Sequence, residues 1–455
     1  VDDLKALVDS CFADIRTDQP VLVAISGGGD SLALLLLAEA WARQMGCELQ
    51  AVTVDHGLRP ESAAEAAFVA SICAGLNLPH VTLCWDGHKP AFGIQEAARY
   101  SRYSLLDEFA HEIGADVILT GHTLDDQAET LMMRVSRSHG EGDGRGLAGM
   151  SRETFLYGGV RIIRPLLKVS REALRQVLRD FSQPWIEDPS NEDYSYERVR
   201  VRRYLAENEE VNQRLLHFGA LCGRFRQVQA QDTTMLLEQS LRIDPGPVFT
   251  VDRDFVARLK NPADTVAWHA AQVLLALAGG QSMLLPRRRL RPLRELVGTG
   301  SADNASKRTL AGCVVERHGE ILRVYRESRN LSTVLLEPGE TAIWDGRLHV
   351  HNGSALQILI ESGSVSQIRS FERLRERRYK VPLRGALYST PIIHTQTLGE
   401  RHPPHLPLVE AGALPKGIEV RMVAPALEHF SPSFDAALRG LVRSLDRYTA
   451  ASLQP

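Results

Sequence analysis

The run Ala24-Ile25-Ser26-Gly27-Gly28-Gly29-Asp30-Ser31 constrains this chain more than any other segment, because a β-branched stretch from Val21 breaks into glycines and passes straight into the apolar residues Leu32 to Ala38. The order strand, tight turn, helix places free backbone N–H groups and the positive end of a helix dipole around one point, which suits an anion. Glycines let the backbone approach that anion closely. Ser26 and Ser31 offer hydroxyl donors, and Asp30 offers an oxygen to Mg²⁺. The lysine of the G-x-x-x-x-G-K-[ST] loop is missing, which argues against a nucleotidase that cleaves the γ-phosphate in that way. A capped glycine turn without ligand is the plain alternative. Six specified positions in a strand-to-helix setting favour phosphate.

From Val21 to about Thr120 short β-branched runs alternate with longer amphipathic ones, the pattern of a parallel sheet covered by helices. Strands are expected at Val21 to Ser26, Leu49 to Val54, His80 to Trp85 and Asp116 to Thr120, with helices at Ser31 to Gln44, Glu61 to Ala74 and Ile94 to His111. Ligands of such sheets bind beyond the carboxyl ends of the strands, where the glycine loop lies. After the Gly-rich stretch Ser138 to Gly149 come a short strand at Arg161 to Ile163, a helix from Ser170, and a turn at Asp188 to Asn191. At 455 residues several units are expected. The divisions read from the sequence are 1–210, 211–330 and 331–455, with helices at Val211 to Glu238 and Asp264 to Ala278 and a strand-rich tail from about Leu331.

Two further clusters carry chemistry. In Gly121-His122-Thr123-Leu124-Asp125-Asp126-Gln127-Ala128-Glu129-Thr130, Asp126 and Glu129 fall three apart on one helical face, a pair able to hold an ammonium group. Helix capping is the alternative there. Arg99 and Arg102 share a face of the helix after Gly93, and an arginine fork suits a phosphate whose charge rises during reaction. For these two, as for Arg198, Arg200, Arg202 and Arg203, a solvated surface is the alternative.

Together, and in this order, these motifs resemble the tRNA(Ile)-lysidine synthetase family of PP-loop ATP pyrophosphatases. The likeness extends to Val54-Asp55-His56-Gly57-Leu58-Arg59, Gly93-Ile94-Gln95-Glu96-Ala97-Ala98-Arg99, Arg164-Pro165-Leu166-Leu167 and Trp185-Ile186-Glu187-Asp188-Pro189-Ser190-Asn191, and further on to Leu285-Pro286-Arg287-Arg288 and Thr309-Leu310-Ala311-Gly312-Cys313. It implies an α/β fold, a doubly wound parallel-sheet PP-loop domain followed by a mainly helical domain and a small mixed α/β C-terminal domain. It implies a reaction in which ATP adenylylates the wobble cytidine of a CAU-anticodon tRNA(Ile) and the ε-amine of free lysine then displaces AMP. Asp30, Arg102 and Asp126 are the catalytic residues this implies, with Asp30 as the Mg²⁺ ligand. Nucleotide contacts are implied at Ala24, Ser26, Gly27, Gly28, Gly29, Asp30, Ser31, Val54, Arg102 and His122, and lysine contacts at Asp126, Glu129 and Arg198. Where the family usually has asparagine after Arg198, this chain has Val199.

Composition bears on partners. A net charge of −3 gives no global pull toward nucleic acid, so a tRNA-binding face must be local, and basic clusters occur at Arg287 to Lys307 and Arg369 to Arg384. Trp185, Tyr194 and Tyr196 are candidate stacking partners for an unpaired base. Six cysteines without a C-x-x-C pair point to a reducing cytoplasm and against sulfur transfer by a PP-loop tRNA thiolase. No apolar run approaches a membrane span. A tRNA- and ATP-binding protein without catalysis is the remaining alternative, and a homodimer is an open expectation.

Overall fold

The computed structural model describes residues 2–87, 89–90, 92–137, 144–156, 159–187, 193–244, 248–298, 306–364, 384–397, 400–401, 414, 416–428 and 430–451. Two compact units are formed, Val1–Arg226 with Pro432–Phe434, and Gln227–Ser431 with Asp435–Pro455. The turn expected at Asp188 to Asn191 lies outside the described residues. So do residues 138–143, half of the Gly-rich stretch Ser138 to Gly149, and nearly all of the basic run Arg369 to Arg384.

The first unit begins with helix α1 (Asp2–Phe12) and strand β1 (Val21–Ala24), then alternates α2 (Gly29–Met45), β2 (Leu49–Asp55), α3 (Ser62–Gly75), β3 (His80–Cys84), α4 (Ile94–Ile113) and β4 (Val117–Thr120). Helix α5 (Leu124–Arg137), the short strands β5 (Glu153–Phe155) and β6 (Arg161–Ile163), and helices α6 (Arg171–Asp180) and α7 (Glu197–Glu207) complete it, with the start of α8 (Glu209–Ser240). Among the strands just named the order across the sheet is β5-β6-β4-β1-β2-β3. All neighbours are parallel except β5 with β6. The chain builds outward from β1 through β2 to β3, then returns to place β4 on the other side of β1. That reversal opens a crevice at the carboxyl ends of β1 and β4, the position at which such sheets bind ligands.

Helix α2 explains why the glycine loop is firmly placed. From Leu32 to Ala38 its sequence is apolar on every side, and a helix of that kind is stable only when enclosed. Leu32, Leu34, Leu35 and Leu37 have no exposed surface and sit in one core with Val21, Val23, Leu119 and Leu174. Each such leucine contributes roughly 1.5–3 kcal/mol by leaving water. Gly46 ends the helix in the left-handed conformation at φ 67°, donating its N–H to Ala42.

Helix α4 carries an acid in an awkward place. Asp107 has one carboxyl oxygen buried without a hydrogen bond, 3.8 Å from the His111 ring. Burial pushes its carboxyl up to about 6, with His111 opposing and Glu108 adding to the shift. A folded-state value above the unfolded one makes this group's contribution greatest below pH 4 and lost as the pH rises through about 6. Asp107→Asn is therefore expected to stabilise the protein by about 2–3 kcal/mol at pH 7–8, with the gain vanishing by pH 4. Thermal unfolding of both proteins across that range checks this, and parallel curves would refute it.

In the second unit the expected helices are present as the end of α8 and as Thr265–Gly279. A five-stranded antiparallel sheet accompanies them, in the order Leu241–Asp244, Val248–Val251, Ile321–Arg326, Cys313–His318, Ser306–Leu310. The strand-rich tail forms a four-stranded and a three-stranded sheet. One core contains Trp268, Val315, Trp344 and Ile418, residues from both sides of position 330.

Candidate active site

The glycine loop is held by its own hydroxyls. Ser31 donates to the Gly28 carbonyl at 2.8 Å, and its Oγ accepts the Ser26 backbone N–H at 3.2 Å, closing the turn on itself. Gly27 takes φ +84°, a conformation that disfavours any side chain, and a Cβ there would also meet Ile186 at 3.0 Å. From the neighbouring strand Gly121 presses on the loop from below, since a Cβ on it would lie 3.0 Å from the Asp30 carbonyl oxygen and 3.1 Å from Ser31 Cα. Because both obstructions are backbone, Gly121→Ala must displace the loop. A tenfold to hundredfold loss of ATP affinity, in rough terms, is expected from a shift below 1 Å, with the fold retained. Calorimetric titration with ATP measures it, and unchanged affinity would show that the loop yields freely.

Beside the loop lies a network of three carboxylates and three guanidinium groups. Helix α5 starts at a Thr123 cap, where Asp126 Oδ2 accepts from the Thr123 N–H at 2.8 Å and its hydroxyl at 3.0 Å. Capping uses only that oxygen. Asp126 Oδ1 accepts from Arg171 at 3.0 Å and Arg198 at 2.8 Å. One helical turn on, Glu129 is 1% exposed and accepts from Arg198 at 2.5 Å, Arg202 at 2.7 Å and Arg171 at 3.4 Å. Arg171 also donates to Asp30 at 3.0 Å, joining the phosphate loop to the acidic pair. Burial works against the charge on Arg171, but Asp30, Asp126 and Glu129 outweigh it and hold the guanidinium protonated more firmly than usual. Burial likewise pushes the Asp30 carboxyl up, with Arg171 pulling the other way.

Arg171 opens helix α6, whose cap Ser170 accepts the Ala173 N–H and whose first N–H goes to Asp125 at 2.7 Å. The two helix starts are thereby pinned together. Arg198 and Arg202 are four apart on α7 and reach the same carboxylate. Arg200 and Arg203 turn elsewhere, to the carbonyls of Tyr194 and Ser195 and to Glu207. The end of the Gly-rich stretch is tied to α5, with Arg134 donating to the carbonyls of Gly146 and Gly149 and Gln127 bonding both ways to Met150.

Arg102 occupies a separate place. It lines a cleft of about 300 Å³ with His56, Ile94, Gln95, Arg99, Tyr103 and His122. Among the described residues it makes no hydrogen bond or ion pair, so its charge faces the opening unused. His122 is pushed well below the usual imidazole range by burial and by Arg164, Arg102, Arg99 and Arg198, and bonds Thr120 through Nδ1 at 3.1 Å. His56 is lowered by burial and Arg102, and its Nδ1 is buried with no partner. Both rings are neutral near pH 7 and offer hydrogen bonds rather than charge.

The expected nucleotide residues lie along one edge, Ala24 and the loop Ser26 to Ser31 following β1, Val54 at the end of β2, and His122 following β4. Asp30, Asp126, Glu129 and Arg198 are brought together, and Arg102 stands apart from them in the cleft. Sequence reasoning missed Arg171 and gave Arg202 no role. Tyr194 and Tyr196 are exposed, with Arg203 stacked on Tyr194 at 5.5 Å, whereas Trp185 bonds Glu187. In the basic stretch from Arg287, Arg287 and Arg294 cover the ring of Trp268.

A phosphate loop at the reversal of a parallel sheet, flanked by paired acids, defines a nucleotide-binding domain of the PP-loop class, and residues 2–209 match the family described as the PP-loop domain. Over nearly its whole length the chain is similar to tRNA(Ile)-lysidine synthases. It is 31% identical to that of Bartonella tribocorum and 34% identical to that of Brucella suis biovar 1, in each case over 93% of this chain and 94% of the relative. Among solved structures, the U34-tRNA thiolase NcsA from Methanococcus maripaludis is similar at 17% identity, over 49% of this chain and 79% of that one, with a TM-score of 0.41. The chain belongs to the tRNA(Ile)-lysidine synthase family.

Proposed function

We propose that this protein is a ligase that activates the wobble cytidine of a CAU-anticodon tRNA(Ile) with ATP and joins free lysine to it. The observation that carries the reading is the meeting of Asp30, from the phosphate loop, with Asp126 and Glu129 at one end of the sheet. In the first step the cytidine O2 attacks the α-phosphorus and pyrophosphate leaves. The loop from Ser26 to Ser31 orients the phosphates, and Arg102 offsets the charge gathering on the α-phosphate. In the second step the lysine ε-amine attacks C2 and AMP leaves with the oxygen. Asp126 and Glu129 hold lysine by its ammonium group, and Arg198 completes that subsite.

Mg²⁺ fits the donors present. Asp30 gives one oxygen to Arg171, and the other accepts no hydrogen bond from a described residue. Among the described residues no three acidic, histidine or cysteine side chains converge on a metal position. Asp30 would thus hold the ion by one oxygen, with phosphate and water completing its shell, and the ion would supply charge neutralisation on the phosphates. Exposed Tyr194 and Tyr196 suit stacking on a splayed base, and the basic stretches in 211–330 and 331–455 suit the tRNA backbone. A cytoplasmic location and association of two chains belong to the same reading. No described helix is long and apolar enough to cross a membrane. All six cysteines are free and scattered, which gives a thiolase reading no support.

The test is incorporation of labelled lysine into a CAU-anticodon tRNA(Ile) transcript in the presence of ATP. AMP formation that depends on both tRNA and lysine is the expected result. Sulfur transfer without lysine, or no AMP with any tRNA, would sink the reading.

A further inference from the structure

The acids assigned to lysine are already matched in charge. Three carboxylates, Asp30, Asp126 and Glu129, face three guanidinium groups, Arg171, Arg198 and Arg202, so an arriving ammonium finds each of these acids already paired with a cation. Of the three cations, Arg171 alone touches all three acids. Its side chain is the most enclosed, 15% exposed against 44% and 33% for Arg198 and Arg202. It also stands at the first position of α6, where the helix dipole opposes a cation, and only its backbone N–H is tied there, to Asp125. The side chain can therefore swing without moving the helix.

We propose that Arg171 is an internal stand-in for the amine, keeping Asp126 and Glu129 neutralised until Asp30 is claimed by the cation that accompanies ATP. This rests on the function proposed above. Arg171 bridges the two halves only while Asp30 is available to it. Once Asp30 carries a divalent charge, like-charge repulsion drives the guanidinium off. The lysine ammonium then takes the position beside Asp126 and Glu129, while Arg198 and Arg202 remain. Nucleotide binds first and lysine second, and Arg171 acts as a positioning residue that sets this order.

Calorimetric titration of lysine into the full chain, with and without Mg²⁺ and α,β-methylene-ATP, tests the assignment. Wild type is expected to bind lysine at least about tenfold more tightly with nucleotide, within the usual range of coupling between sites. Arg171→Gln is expected to bind lysine with an affinity that differs by less than about twofold between the two conditions. Should that variant fail to fold, Arg171→Lys, which retains the charge but not the fork, is expected to show a weaker dependence than wild type. Nucleotide-independent lysine binding by wild type, or an undiminished dependence in a folded Arg171 variant, would overturn the proposal and leave the proposed reaction standing. Lysine binding by wild type under neither condition would overturn both.

Discussion

Glu129→Gln is expected to lower the unfolding free energy by about 3 kcal/mol, the lower end of the cost of breaking a buried charge pair, and to abolish lysine incorporation. The wild-type side chain is 1% exposed and its two oxygens accept from Arg171, Arg198 and Arg202. An amide keeps one acceptor and turns two N–H donors toward guanidinium donors. The loss sits at the lower end because Arg198 and Arg202 reach water and can turn outward. Urea unfolding measures it, and a change below about 1 kcal/mol would mean that water already screens the network.

The second large effect separates activity from stability. Arg102→Ala is expected to reduce tRNA-dependent pyrophosphate release by about 10²–10³ while leaving the melting temperature unchanged. Among the described residues Arg102 makes no hydrogen bond or ion pair, and in its cleft it stands near another cation, Arg99, and two neutral histidines, so removing its charge costs the fold little. A comparable fall in melting temperature would show that the side chain is structural. Arg102→Lys should fall between the two, since it keeps the charge without the planar fork.

How far the sequence carried these conclusions varied with the range of the interactions. The first four strands were legible because each is a short β-branched run, and they appear within a residue or two of expectation as β1 to β4. Asp126 and Glu129 were legible as a pair because helical spacing alone puts them on one face. Arg171 was not, since its partners lie 141 and 45 residues away and no local pattern joins them. One signal was available: a cation in the first turn of a helix opposes the dipole, and that mismatch calls for an acidic partner elsewhere. Arg198 and Arg202 were visible at a spacing of four, but Arg200 and Arg203 lie among them, and only the packing of α7 on α5 selects the former. The sheet from Leu241 to Arg326 escaped notice because arginines stand at buried positions where alternation calls for an apolar residue, as Arg317 does in Cys313–His318 and Arg326 in the strand beside it.

The burial of α2 on every side has a consequence for how such an enzyme can diversify. Its first turn belongs to the phosphate loop, and Leu32 to Ala38 lie in the core of the domain, so ATP activation is built into the part of the molecule that is least free to change. The acceptor side, on α5, α6 and α7, meets solvent and depends on exchangeable ion pairs. A chain of this design can acquire a different nucleophile by substitution along those three helices while its activating half stays as it is.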